Sequence, residues 1–272
     1  MPGILEIKYK LIDWVKATVP FSLRYKLRAF RRRVVYAMYL AKTKAESNVD
    51  EVTCPVSGNS FPKFLPEASG KRLLSPDSGL LGRHRVVWLY LVREEKILDK
   101  EIAVLHIAPE PFIMEKLQAR ENIDYVAGDK MVFGYRNQPN VQALDLTQLK
   151  LANNSFDLLI CNHVLEHIPN DAAAIREMYR VVKPGGKALV TVPLQLSQAR
   201  TFEDSSITGF KERAKAFGQW DHVRAYGTDI VERFESVGFT VELNQYGKQL
   251  PKTDQRLYGL NGTVLVLATK PS

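Results

Sequence analysis

The sequence predicts an α/β fold: a doubly wound, mostly parallel sheet of seven strands with helices on both faces and an N-terminal helical extension. Three observations predict it. From residue 102 onward, short apolar runs alternate with helix-compatible segments, the pattern of a parallel sheet covered on both sides. The run Phe156 to Cys161 is apolar and breaks into Asn162, His163, Glu166 and His167. In open α/β sheets, ligands bind just past the carboxyl ends of the strands. Lys183-Pro184-Gly185-Gly186-Lys187 then closes a helix and leads into another apolar run, Ala188 to Val192. Glycine supplies the left-handed termination and proline discourages continuation.

Residues 1–50 form a basic arm, with eleven Lys/Arg against four Asp/Glu. The whole chain carries +8, so residues 51–272 are near neutral. Within the arm, 22–42 reads as one helix, with Ser22 after Pro20 as a candidate N-cap. Leu23, Leu27, Phe30, Val34, Met38 and Ala41 share one face. The default expectation is that this face packs on the chain's own domain. The functional one is that the helix rests on an anionic membrane surface.

Residues 51–82 are irregular and rich in Pro, Gly and Ser. Cys54-Pro55-Val56-Ser57-Gly58 and Ser75-Pro76-Asp77-Ser78-Gly79 look like paired Cys-Pro-x-Cys knuckles in which serine replaces three of four cysteines. One cysteine and three serines lack the donors of a structural zinc site, so no metal is expected there. The segment reads as a degenerate knuckle-like cap.

Residues 83–272 form the main domain. A helix is expected from Gly82 to Leu98. Strands are expected at Ile102–Ile107, Tyr125–Gly128, Val141–Leu144, Asp157–Cys161, Lys187–Val192, Phe239–Leu243 and Thr263–Ala268, with helices at 111–120, 171–182 and 228–236. The last two strands are joined without a clear helix, which suits an antiparallel closing strand. Residues 195–227 form a connection of unusual length, and long connections inside compact domains are usually functional.

At 272 residues and 45% hydrophobic, the chain can bury a full core. Two cysteines cannot build a disulfide framework, which points to a reducing compartment. The sequence has no apolar run of membrane-spanning length and no secretory pattern near its start. The expected localisation is cytoplasmic, or peripheral to a membrane.

Together these motifs resemble the second half of a class I S-adenosylmethionine-dependent methyltransferase. His106-Ile107-Ala108-Pro109-Glu110, with the upstream knuckle and Leu81 to Arg85, is similar to a type 11-like subgroup whose Rossmann-like domain this chain would share. The resemblance covers about residues 51–250. It implies S-adenosylmethionine as cofactor and a first turn built by His106, Ala108 and Glu110. Ala108, Glu110 and Phe112 stand where that family usually has glycine. Asp129 closes the second strand, 23 residues after His106, where a carboxylate accepts ribose hydroxyls. The resemblance puts Asp145 and Leu146 beside the adenine, and Asn162 and His163 toward the methionine portion. Each has a plain structural alternative, a β-turn for Asp129 and a helix cap for Asp145.

Methyl transfer to a hydroxyl needs a base near the strand rim. His163, His167 and His222 are the candidates, with Asp221 as orienter of His222. Glu166 and His167 are the alternative, as ligands of a divalent metal, since Leu165-Glu166-His167 is similar to a segment of some quinone-type methyltransferases, but two adjacent ligands are too few and no metal is expected. The expected acceptor is an oxygen of a small molecule or glycan-type compound, by analogy of fold. The alternative is an inactive relative serving as a partner- or membrane-binding module. A nicotinamide enzyme is disfavoured because Gly-x-Gly-x-x-Gly is absent. Nucleic acid is disfavoured because the main domain is not basic.

Overall fold

The computed structural model describes residues 18–42, 51–67, 72–130 and 140–272. The ends of the predicted arm, 1–17 and 43–50, lie outside the described residues.

Helix α1 (Phe21–Lys42) matches the predicted arm helix. It packs differently from the default expectation. Leu23, Leu27, Phe30, Val34 and Met38 are all exposed, Phe30 at 67%. The helix docks instead through Arg32, which donates to the carbonyl of Asp77 at 2.7 Å, and Tyr36, which donates to that of Lys63 at 3.0 Å. Gly79 permits this approach, since a Cβ there would lie 2.9 Å from the Arg32 guanidinium.

Two antiparallel ribbons follow, β1 (Val52–Thr53) with β2 (Ser60–Phe61) and β3 (Leu65–Pro66) with β4 (Leu73–Leu74). The turn that joins β1 to β2 and the turn that follows β4 are alike. Gly58 N–H donates to Cys54 O, and Gly79 N–H donates to Ser75 O, both at 2.8 Å. Cys54 Sγ lies 3.8 Å from Ser78 Oγ. In helix α2 (Gly82–Arg93), Arg85 is fully buried. It donates to Ser75 Oγ and to the carbonyls of Leu80, Tyr258 and Gly259. Its guanidinium also stacks 4.0 Å over the Phe64 ring. A protein cation thus ties the cap to the main domain. Helix α2 ends at Arg93, short of the expected Leu98, and Lys96 then turns left-handed at φ 49°.

The main domain continues with β5 (Ile102–Ile107), α3 (Pro111–Gln118), β6 (Ile123–Asp129), β7 (Val141–Ala143) and β8 (Phe156–Asn162). After a single 3-10 turn at Leu165–His167 come α4 (Asp171–Val181) and β9 (Val182–Thr191). Then follow β10 (Phe202–Glu203), α5 (Phe210–Phe217), β11 (Arg224–Ala225) and α6 (Ile230–Glu235). The chain closes with β12 (Thr240–Asn244), α7 (Tyr246–Gln249), α8 (Lys252–Leu257) and β13 (Leu265–Thr269).

The seven-stranded sheet runs β12-β13-β9-β8-β5-β6-β7. All its pairings are parallel except those of β13, which is antiparallel to both neighbours. This is the predicted Rossmann-like, mostly parallel architecture. Two short helices, α7 and α8, occupy the closing connection where no clear helix was expected. Central strands β5 and β8 are almost continuously buried, as a sheet covered on both faces requires. One core layer joins β8 and β9 to Ile175, Met178 and Val181 of α4, and the other joins the sheet to α2. Asn170 caps α4 by accepting from Ala173 N–H at 3.1 Å. Helix α4 ends directly at Val182, so Gly185 (φ 75°) lies within β9 and not at the helix end.

Candidate active site

The strand order reverses between β5 and β8, because β6 and β7 lie on one side and β9 on the other. The crevice past such a reversal is the usual ligand position. Two short turns line it, Ala108 to Glu110 after β5 and Asn162 to Glu166 after β8.

Ala108 carries a φ of 49°, a left-handed conformation that glycine adopts without steric cost. Its N–H donates to Gly128 O at the end of β6 at 2.8 Å. The turn therefore has the backbone of a glycine turn without the glycine. Glu110 heads α3 as N-cap, with Pro111 at the first helical position. Its carboxylate lies 3.5 Å from His84 Nε2, 3.3 Å from His106 Nε2 and 3.5 Å from Asn162 Nδ2. Burial works to raise the pKa of Glu110, but the contacts with the two histidines outweigh it and hold the carboxyl at about 2. Burial pushes His84 down to about 4. Leu81 N–H donates to His84 Nδ1 and Arg83 Nε donates to His84 Nε2, each at 3.1 Å, beside the Glu110 carboxylate. His106 is fully buried, with Nδ1 2.9 Å from Tyr125 Oη. Its Nε2 has no well-aligned hydrogen bond, because Glu110 lies off its axis.

Asp129 ends β6, and its carbonyl accepts from Leu144 N–H at 2.9 Å. Gly128 before it is packed so closely that a Cβ would meet Leu144 at 2.4 Å. Asp145 follows β7. Its carboxylate accepts from Thr147 N–H and Oγ1 and pairs with Lys130 Nζ at 2.8 Å. The Lys130 bond is the largest cause holding its pKa at about 2. Leu146 is buried beside it. Asn162 ends β8 and accepts from Thr191 Oγ1 at 3.1 Å.

His163 turns left-handed at φ 54°, rare for a residue with a side chain and a conformation that clusters at functional sites. Its Nδ1 lies 3.0 Å from Glu166 Oε1. The other Glu166 oxygen is buried and has no hydrogen-bond partner. His167 and His222, from separate segments, meet edge to face with ring centroids 4.8 Å apart. Asp221 faces His167 at 3.5 Å and not its neighbour His222, because consecutive residues of the turn point apart. His222 Nδ1 instead lies 3.1 Å from Phe217 O, and burial lowers its pKa.

The segment 195–227 is held over this rim. Arg224, almost fully buried, donates to the carbonyls of Leu165, Ile168 and Pro169 and to Glu203. Tyr226 donates to Asp171 at 2.7 Å, so this aromatic anchors the segment. Sequence reasoning did not assign roles to His84, Tyr125, Thr191 or Arg224. His84 alone had a legible signal, a histidine at the start of a helix beside Leu-Gly-Arg.

Asp129 ends β6, Asp145 lies just past β7, Asn162 ends β8, and an ionised Glu110 lies in the crevice. The carboxylates suit ribose hydroxyls and an exocyclic amine. Glu110 suits a sulfonium and an ammonium. The set fits S-adenosylmethionine.

Residues 113–190 match the family model described as a methyltransferase domain. The chain is 33% identical over 93 residues to a demethylmenaquinone methyltransferase of Renibacterium salmoninarum, covering 32% of this chain and 39% of that protein. It is 44% identical over 43 residues to an arsenite methyltransferase of Aquipseudomonas alcaligenes, covering 16% of this chain and 12% of that protein. The chain thus spans well under half the length of these relatives. The crystal structure of the YcgJ protein from Bacillus subtilis superposes with a TM-score of 0.47 at 15% identity, covering 70% of this chain and 99% of that one.

Proposed function

We propose, from the premise that residues 113–190 are a methyltransferase domain, that this chain is a cytoplasmic S-adenosylmethionine-dependent methyltransferase. The observation that carries the reading is the crevice at the strand reversal, with Asp129, Asp145 and Asn162 on successive strand ends around a left-handed Ala108. Asp129 holds the ribose, and Asp145 with Leu146 flanks the adenine. Asn162, His163 and Glu110 line the methionine end, and His106 and Ala108 hold the turn. The cofactor, when bound, supplies an electrophilic methyl group on a sulfonium. The protein aligns the acceptor and removes its proton. His163 is the base this geometry favours, since Glu166 orients its ring at 3.0 Å. His167, Asp221 and His222 form the acceptor side. The acceptor is an oxygen of a small molecule or glycan-type compound.

Calorimetric titration with S-adenosylmethionine and S-adenosylhomocysteine tests this. Micromolar binding by the wild type, lost in Asp129→Ala, is the expected result. A folded wild type that binds neither would overturn it.

A second reading draws on the exposed apolar stripe of α1, flanked by exposed Lys26, Arg28, Arg31 and Arg33. A helix of this kind lies on an anionic membrane surface. It would act as a peripheral anchor for an active enzyme, or as the main function of an inactive relative.

A further inference from the structure

We propose that Glu166, His167 and His222 form a site for one divalent transition metal ion of the zinc class, on the acceptor side of the crevice. One donor atom from each lies within 4.8 Å of the others. In sequence, Glu166-His167 offered only two ligands. The fold brings in a third from 55 positions away.

Four features single this cluster out. The first is Glu166 Oε2. The side chain is 1% exposed, and this oxygen has no hydrogen-bond partner. A buried carboxylate oxygen left unmatched costs free energy and calls for a partner of positive charge. The second is the state of the two imidazoles. His167 Nδ1 lies 3.3 Å from Asp221 O and 3.5 Å from Asp221 Oδ2, and His222 Nδ1 lies 3.1 Å from Phe217 O. Each ring therefore gives its Nδ1 proton to an oxygen outside the cluster and keeps Nε2 as a free lone pair. Metal-binding histidines are oriented in this way, by a carboxylate or carbonyl on the far nitrogen.

The third feature is the rigidity of the frame. Val223 N–H donates to Glu166 O at 2.9 Å, and the buried Arg224 guanidinium holds the carbonyls of Leu165 and Ile168. The two segments are thus clamped on both sides of the cluster. The fourth is the donor set itself. Two imidazoles and one carboxylate suit zinc, iron and cobalt, whereas an all-oxygen site would suit magnesium or calcium. Three protein ligands leave a coordination position open, as in sites where a metal meets a substrate. There the ion would polarise an acceptor oxygen and favour loss of its proton. Glu166 would then link two roles, one oxygen on His163 and the other on the ion.

The catalytic role rests on the methyl-transfer reading, but metal binding does not, and the two are measured separately. The full chain is stripped with a chelator and titrated with Zn²⁺ by competition with a chromophoric chelator. Co²⁺ is added in parallel and its visible absorption recorded. One ion per chain is expected, with a Co²⁺ spectrum of nitrogen and oxygen ligands and no thiolate charge-transfer band. His222→Ala and Glu166→Gln should each weaken Zn²⁺ binding by about 100-fold, while Cys54→Ser leaves it unchanged. S-adenosylhomocysteine affinity, measured on the same samples, should survive in His222→Ala. A folded wild type that binds no stoichiometric ion overturns the proposal. So does a thiolate band abolished by Cys54→Ser, or a folded His222→Ala that binds as tightly as wild type.

Discussion

His84 and Glu110 show how single side chains make this site sensitive to acid. In the folded chain, burial holds His84 at about 4, below its ordinary 6.5. An unfolded chain would take up that proton near 6.5. Stability is therefore full above pH 6.5 and falls as the pH drops toward 4, by about 1.4 kcal/mol per unit. Glu110, held at about 2 against an ordinary 4.5, acts in the same direction at lower pH, between 4.5 and 2. Urea denaturation should show a loss of about 2 kcal/mol between pH 6.5 and 5. In His84→Gln most of that slope should be lost, the remainder coming from His222, whose pKa burial also lowers; an unchanged slope would place the acid sensitivity elsewhere.

At the scale of elements, the segment between β9 and α6 depends on one buried guanidinium. Arg224 satisfies three carbonyls of the turn 165–169 and pairs with Glu203. Glu203 is 43% exposed, so its ion pair adds little, and most of the contribution comes from the buried carbonyl bonds. Arg224→Met should cost about 3 kcal/mol, read from the urea midpoint. The same variant should expose the segment to proteolysis before the sheet unfolds. Equal protease resistance in both proteins would mean that Tyr226 and Asp171 hold the segment without Arg224.

Among the described residues, the excess positive charge and most of the exposed large apolar side chains lie on the same element. Helix α1 contains seven Lys/Arg and no acidic residue, while the rest of the described chain is near neutral. Its attachment through Arg32 and Tyr36 leaves Leu27, Phe30 and Val34 outward. Among the described residues, no helix is long and apolar enough to cross a membrane. Vesicles containing anionic phospholipid should therefore co-sediment the protein, and neutral vesicles should not. Binding should weaken at high salt, because surface charge attraction is screened over about 10 Å at 0.1 M. Phe30→Asp should reduce it without changing the fold, since the ring is exposed. Equal binding to neutral vesicles would remove the charge argument.

The sequence by itself determined the alternation of strands and helices, the antiparallel closing strand and the polar residues at the rim. Hydrophobic period and strand-end position are local properties, so they are written in consecutive residues. Asp129, Asn162 and His163 were legible for that reason. Only the tertiary structure decided which distant groups meet. It turned Asp221 toward His167, brought His222 to Glu166, and filled the turn after β5 with a Glu110 network that includes His84. It also turned the apolar face of α1 outward, because Arg32 and Tyr36 found carbonyl partners on the cap. Each of these pairings joins residues far apart in the chain, and their geometry depends on how elements pack and on where buried polar groups find partners.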